Sequence, residues 1–250
     1  MANRKYLLIQ DEQDLRDFVY ASRTVKSPEN LPKSVDLRDK MSEIVDQGLL
    51  GSCTANAIAS GLREYLEIYG NQPFVRLSRL FLYYQERAME NTVNEDSGAS
   101  LRDGMKVLQK IGVCPEVDQP YIISKFTEAP SEKALTDASQ FKIASYHRVP
   151  NLTALKTSLY EGFPVVFGMK IYQSFESDQV AATGKIPAPK STEKYLGGHA
   201  LLAVGYVNTT HRSGYVIVRN SWGKDWGDQG YCYMPYSVFN KLVTDMWTGQ

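Results

Sequence analysis

The chain has 250 residues, 43% of them hydrophobic, enough to bury a sizeable core in one large or two small domains. Its 28 lysines and arginines balance its 28 aspartates and glutamates, so no basic stripe argues for nucleic acid or an anionic membrane. The longest apolar runs, such as LLAVGYV at 201–207 and PVVFGM at 164–169, have strand length and fall far short of the roughly 18 residues of a spanning helix. A soluble monomer is the expectation.

The chain opens MANRKYLLIQDEQDLRD, where only LLI separates positive from acidic residues, against roughly 7 to 15 apolar residues in a signal peptide. No secretory leader is expected, which favours a cytosolic setting. Three cysteines, Cys53, Cys114 and Cys232, cannot all pair, and their wide spacing fits neither a zinc pattern nor a disulfide framework. A reducing compartment is expected, with no metal and no cofactor. The sequons at Asn151 and Asn208 then read as accidental.

Helix signals fill the first half. After the glycine-broken turn VDQGLLGSC, Ser52 is placed to cap a helix with the apolar stripe Ile58, Leu62, Tyr65, Leu66 and Tyr69, stopped at Gly70. SRLFLYYQERAMEN again sets a serine before periodic apolar residues. In SLRDGMKVLQKIG, Ser100 and Asp103 resemble a capping box, Leu101, Met105 and Leu108 share a face, and Gly112 ends the pattern. From about 141 the reading turns to strands: FKIASYHRV, PVVFGMKIY, ALLAVGYVN, YVIVRNSW and GYCYMPY. One amphipathic helix interrupts them at 152–160, with Asn151 as its cap, and TTHRSG reads as a hairpin loop. Residues 179–195 read as a long solvated loop. The fold class is α+β: a helical half, an antiparallel half and a cleft between two lobes. No internal repeat is evident.

A cysteine at the start of a helix sits where unpaired N–H groups and the helix dipole favour a thiolate, which makes Cys53 a candidate nucleophile. Cys232 inside a strand and Cys114 after a helix end read as small buried apolar residues. A thiolate needs a partner base. Of the three histidines, His147 and His211 have ordinary strand and loop explanations, whereas His199 in YLGGHALLAVGY has two glycines clearing space before it. A base that must keep one tautomer needs an orienting group, and an amide oxygen supplies one without adding charge. Asn220 ends an apolar strand that the TTHRSG hairpin brings beside the His199 strand. Trp222 and Trp226 follow in a glycine-rich loop and are placed to cover that contact and wall the cleft, although core packing is the commoner role of tryptophan. Gln47, on the turn before Cys53, is a candidate amide donor to an oxyanion beside the Cys53 N–H.

These stretches resemble the papain-family cysteine peptidases. LPKSVDLRDK is similar to the start of a mature family enzyme, VDQGLLGSCTANA to the surroundings of the nucleophile, GGHALLAVGY to those of the base, and YVIVRNSWGKDWGDQGY to those of the orienting asparagine. They occur in family order, and His199 follows Cys53 by 146 residues, within the span of about 130 to 150 described for this family. The resemblance implies a papain-like two-lobe fold, a helical lobe (about 45–135) followed by an antiparallel β-barrel-like lobe (about 136–236). It implies Cys53 as nucleophile, His199 as general base and acid, Asn220 as orienting group, Gln47 as oxyanion donor, and a peptide or protein substrate. EDSGAS, centred on Gly98, is the counterpart of the glycine-rich strip that pairs with substrate backbone in the family.

Two departures stand out. The family signature has a cysteine three residues before the nucleophile and an aromatic residue after it; here Leu50 and Thr54 stand there. About 30 residues precede LPKSVD, far fewer than the roughly hundred of many family prosegments. Residues 1–30 are read as an extension lying along the cleft and limiting access to Cys53, 31–236 as the peptidase domain, and 237–250 as a C-terminal segment. The function expected is an endopeptidase working through an acyl-thioester. The alternatives are an aminopeptidase of the bleomycin-hydrolase type and a catalytically silent papain-like binding module.

Overall fold

The computed structural model describes residues 4–250 other than 23, 26 and 211, so the reading of His211 lies outside the described residues. Seven strands form one antiparallel sheet: β1 (Ser34–Asp36), β2 (Tyr146–Arg148), β3 (Val165–Tyr172), β4 (Tyr195–Asn208), β5 (Gly214–Arg219), β6 (Tyr231–Pro235) and β7 (Val243–Gly249). The order is β2-β7-β3-β4-β5-β6, with β1 pairing onto β4. Strand β4 reads as a continuous apolar run because both of its faces are covered. Ala200, Leu202 and Val204 face a core shared with the helical lobe, while Leu201, Ala203 and Tyr206 face a second core. The switch of phase after Val204 accompanies a bulge in the β4–β5 register between Ala203 and Gly205.

The helical lobe starts with one rod in three segments: α1 (Cys53–Ala55), a π-helical stretch (Asn56–Arg63) and α2 (Glu64–Tyr69). It packs on β4 at Gly61, where a Cβ would stand 3.0 Å from Leu202 Cδ2. Helices α3 (Arg79–Met89) and α4 (Leu101–Lys110) complete this core, and α5 (Glu132–Ala138) closes the lobe. Ser78, Ser100 and Asn151 cap as expected, each accepting from the N–H three residues on; the last caps α6 (Leu152–Tyr160). The Ser100 box differs from expectation: its own N–H donates to Glu90 at 3.0 Å, so Glu90 from α3 supplies the reciprocal bond. Ser52 stands at the N-cap position without capping, because its hydroxyl pairs with Tyr121 at 2.6 Å.

Three stretches differ from their sequence reading. Residues 179–195 do not form a loop throughout: Ser177 caps α7 (Asp178–Thr183), and Gly184 with φ of 67° ends it. FKIASYHRV is a strand only over β2, with His147 opposite Thr248. The chain beyond 236 is no appendage: α8 (Tyr236–Leu242) packs on the second core, and β7 lies between β2 and β3. Buried Asp245 interrupts the apolar pattern of β7 and hides the strand from a reading of periodicity.

The N-terminal segment is extended and crosses both lobes. Leu8 N–H donates to Gly198 O at 3.1 Å, and Ile9 N–H to Ala99 O at 3.0 Å. Asp11 accepts from Trp247 Nε1 at 2.8 Å, and Asp17 pairs with Arg102 and Arg148 at 2.8 and 2.9 Å. Beyond them the Tyr20 N–H donates to Arg148 O, and Glu161 gathers Tyr20, Ser22 and Thr24. No helix among the described residues is long and apolar enough to cross a membrane.

Burial and the nearby Asp11 push Asp245 up to about 6. A carboxyl whose folded pKa lies above its unfolded value binds its proton more tightly in the folded chain, so stability falls as pH rises from about 4 to 6 and stays lower above. Asp245→Asn is expected to raise stability above pH 6 by up to about 3 kcal/mol while changing little near pH 4. Denaturant midpoints at the two pH values check this.

Candidate active site

The turn before Cys53 is fixed from outside. Gln47 N–H donates to Ser221 O at 2.9 Å, Gly223 N–H to Val45 O at 3.1 Å, and Tyr121 OH to Gln47 O at 2.9 Å. This turn delivers Cys53 as the first residue of the helical rod, against β4, where the Ala200 backbone N–H reaches its thiol. His199 precedes Ala200 and pairs in register with Met169 of β3. The β4–β5 hairpin forms as expected and brings His199 Nε2 to 2.9 Å from Asn220 Oδ1.

The tautomer follows from the hydrogen bonds. Ser221 N–H also donates to Asn220 Oδ1, at 2.8 Å, which keeps the amide oxygen toward the ring. Nε2 is then the donor, and the lone pair sits on Nδ1, which is buried and has no hydrogen-bond partner among the described residues. Trp222 lies over the imidazole, ring centroids 5.1 Å apart and planes 30° apart, and shields the His199–Asn220 bond. Trp226 does not share that role: it packs edge-on to Trp222 and beside Phe175, one layer back.

Gln47 is buried, with Oε1 accepting from Ser221 Oγ at 2.7 Å and Nε2 donating to Leu50 O at 3.1 Å. One hydrogen of its amide nitrogen is left. At the departures from the family pattern, Leu50 fills core space, and Thr54 donates to buried Glu86 at 2.7 Å. Ser221, Tyr121, Phe175 and Asp96 escaped the sequence reading. Ser221 and Tyr121 act through neighbours far away in the chain. Asp96 lies in EDSGAS, where Gly98 is the more conspicuous residue.

The cleft is filled by the chain's own residues 4–9. A Cβ on Gly98, whose φ is 74°, would meet Leu7 O at 1.8 Å, and one on Gly197, with φ 135°, would meet Tyr6 O at 2.3 Å. Only glycine lets a backbone approach from both walls at this distance. The Tyr6 ring stands edge-on to His199 at 6.0 Å, its hydroxyl donating to Glu176 at 2.6 Å. Arg4 lies over Trp222 at 4.6 Å.

Cys53 and His199 are therefore fully buried. Burial pushes the Cys53 thiol up to about 12, against the lowering by the Ala200 and Thr54 N–H groups. Burial also takes His199 down to about 4, opposed by the bond to Asn220 and reinforced by the Arg4 charge. The helix start favours a thiolate, as the sequence suggested, yet in the covered cleft desolvation outweighs it and the pair rests as thiol and neutral imidazole.

A profile of the papain family cysteine proteases matches residues 31–245. An uncharacterized peptidase C1-like protein of Acanthamoeba polyphaga mimivirus is 42% identical over 230 residues, which cover 87% of this chain and 72% of the viral one. Cysteine proteinase 2 of Entamoeba histolytica is 31% identical over 211 residues; the match takes 81% of this chain but only 63% of the amoebal one, under two thirds of its length. Xylellain, a cysteine protease from Xylella fastidiosa, has the same fold with a TM-score of 0.89 at 38% identity, over 100% of this chain and 98% of that one. With the family profile spanning most of the chain, and these motifs on this fold, the chain belongs to the papain family of cysteine proteases.

Proposed function

We propose that the protein is an endopeptidase that cleaves peptide bonds through an acyl-thioester on Cys53, with His199 as general base and acid, and that residues 4–9 hold it covered. The observation that carries this reading is the hydrogen-bonded tautomer of His199: Nε2–H is committed to Asn220, and the buried Nδ1 is left as proton acceptor for the thiol of Cys53, which the N–H of the next residue, Ala200, reaches.

The chemistry follows from these positions. The Cys53 proton passes to His199 Nδ1, and the sulfur attacks the substrate carbonyl carbon. Its oxygen takes the negative charge between the Cys53 backbone N–H and the spare amide hydrogen of Gln47, whose orientation Ser221 and Leu50 hold. The imidazolium gives its proton to the leaving amine as the C–N bond breaks, leaving the thioester. Water, deprotonated by His199, then attacks the thioester and releases the carboxylate and the thiol. Asn220 keeps the ring in one tautomer throughout, and Trp222 keeps water off that bond.

The endopeptidase reading rests on the course of residues 4–9. They pass from Trp222, along His199 and Gly98, to Ser100, so a polypeptide runs through the cleft from the Trp222 side to the Gly98 side without ending in it. The covering reading rests on the same contacts together with the neutral state of the pair.

Loosening the segment at its two cleft contacts, with Tyr6→Ala and Leu7→Ala in the full chain, is expected to raise the rate of Cys53 alkylation and of peptide turnover at least tenfold. Unchanged rates of both would sink the covering role. In the loosened chain, iodoacetamide labelling mapped by mass between about pH 4 and 9 is expected to reach Cys53 in the acid range. His199→Ala should return the reaction to that of an ordinary thiol near pKa 8.5. A thiol that titrates as ordinary in both chains would favour the silent module. Gln47→Ala is expected to lower kcat by about 10² to 10³ with little change in KM, the cost of one oxyanion donor. Steady-state kinetics on the loosened chain check it.

A further inference from the structure

The covering segment reports on what the cleft recognises, given the peptidase reading above. Its cations are seated in order. Lys5 Nζ lies 2.6 Å from Asp96 Oδ2 on the helical wall, and Arg4 lies over Trp222 on the other, 3.3 Å from Asp46 of the turn before Cys53. Neighbouring residues of an extended chain project to opposite sides, so each wall receives one.

Asp96 is the built member of this arrangement. Its Oδ1 accepts from the Gly51 N–H at 3.0 Å and from Tyr83 OH at 2.6 Å, which locks the carboxylate against the turn that carries Cys53 two residues later. Its Oδ2 faces the cleft and takes Lys5. A Cβ on Gly51 would stand 2.9 Å from Asp96 Oδ1 and 2.7 Å from Leu7 Cδ1, so nucleophile turn, carboxylate and docked chain are in direct contact. The side chain of Asp96 is 11% exposed with the segment in place, whereas that of Lys5 is half-exposed.

If holding Gly51 and Tyr83 were its whole task, the single oxygen of an asparagine would suffice. The second oxygen brings a charge that cannot swing into bulk water, and an anion held in that way favours a cation on its free side. Asp46, by contrast, is half-exposed and carries Arg4 in a longer contact. We infer that Asp96 is a specificity-determining residue: when residues 4–9 leave, its free oxygen selects peptides that place a lysine or arginine side chain against the Gly51 turn beside Cys53.

The test uses the full chain loosened by Tyr6→Ala and Leu7→Ala, together with Lys5→Ala so that no internal cation competes. Peptide substrates carry lysine or neutral norleucine, scanned through each position around the cleaved bond. At one position lysine is expected to raise kcat/KM about tenfold over norleucine, mostly through KM, the scale of one charge-assisted hydrogen bond. That ratio should shrink with added salt and approach one in Asp96→Asn, which keeps the Oδ1 acceptor for Gly51 and Tyr83. Turnover without a lysine preference, or a preference that survives Asp96→Asn, overturns the inference and leaves the peptidase reading standing. The same peptides are titrated calorimetrically into the loosened chain bearing Cys53→Ala. Should no peptide be turned over, the peptidase reading fails on its own. Asp96 is then judged by this titration: tighter binding of the lysine peptide, abolished by Asp96→Asn, upholds the seat, and equal binding removes it.

Discussion

The hydrogen bond between His199 Nε2 and Asn220 Oδ1 is the contact on which the rest of the site depends, and the register of two strands sets it. Neither residue lies in the paired core of the hairpin. His199 lies in the part of β4 that pairs with β3 only, and Asn220 follows the last residue of β5. The distance between them is therefore inherited from six paired positions and one bulge, all inside a sheet covered on both faces. A slip of one residue would turn every side chain of β4 over and break both cores at once. The imidazole is aimed by the bulk hydrophobic energy of the domain and needs no local strain.

Under the covering role proposed above, that rigidity would give the cleft two electrostatic states with one geometry. With residues 4–9 in place, desolvation governs and both partners are neutral. With them gone, as proposed, water would enter, and the helix start and the Ala200 N–H would favour the charged pair. Moving the proton from sulfur to nitrogen leaves the proton count unchanged, so the pair by itself gives the uncovering little dependence on pH while both forms hold one proton. The dependence must come from groups whose proton count does change, and Asp11 and Asp245 are such groups, both raised by burial where the segment crosses onto β7. Their protonation favours the docked segment, so acid tightens this part of the attachment.

How much of this was legible depended on the range of the interactions. The caps at Ser78, Ser100 and Asn151, the hairpin, and the roles suggested for Cys53, His199 and Asn220 rest on residues that are close in sequence or on motifs read by resemblance. What was missed involves partners distant in the chain. Ser52 looks like a cap until Tyr121 takes its hydroxyl from 69 residues away. Strand β7 is hidden by a buried aspartate whose neighbour, Asp11, lies far back in the chain, and Gln47 is oriented by Ser221, 174 residues on. Helix α7 is the exception, since Ser177, Asp178 and Gly184 carry ordinary start and stop signals inside a stretch whose polar composition reads as a loop.

The same division explains why Asp96 drew no notice. In EDSGAS a glycine next to a serine is conspicuous, and an aspartate in a loop reads as solvated. Its burial comes from Tyr83 on one helix and Gly51 on the turn before another, neither predictable from the loop itself. A carboxylate that is held by two neutral donors keeps its charge for a third partner, and the chain's own Lys5 fills that place. A covering segment and a substrate compete for the same surface, so a charge that strengthens the cover also strengthens the binding of a basic substrate. The segment must then be held by more than the cleft, and its anchors at Asp11, Asp17 and Glu161, all outside the cleft, supply what a free peptide would lack.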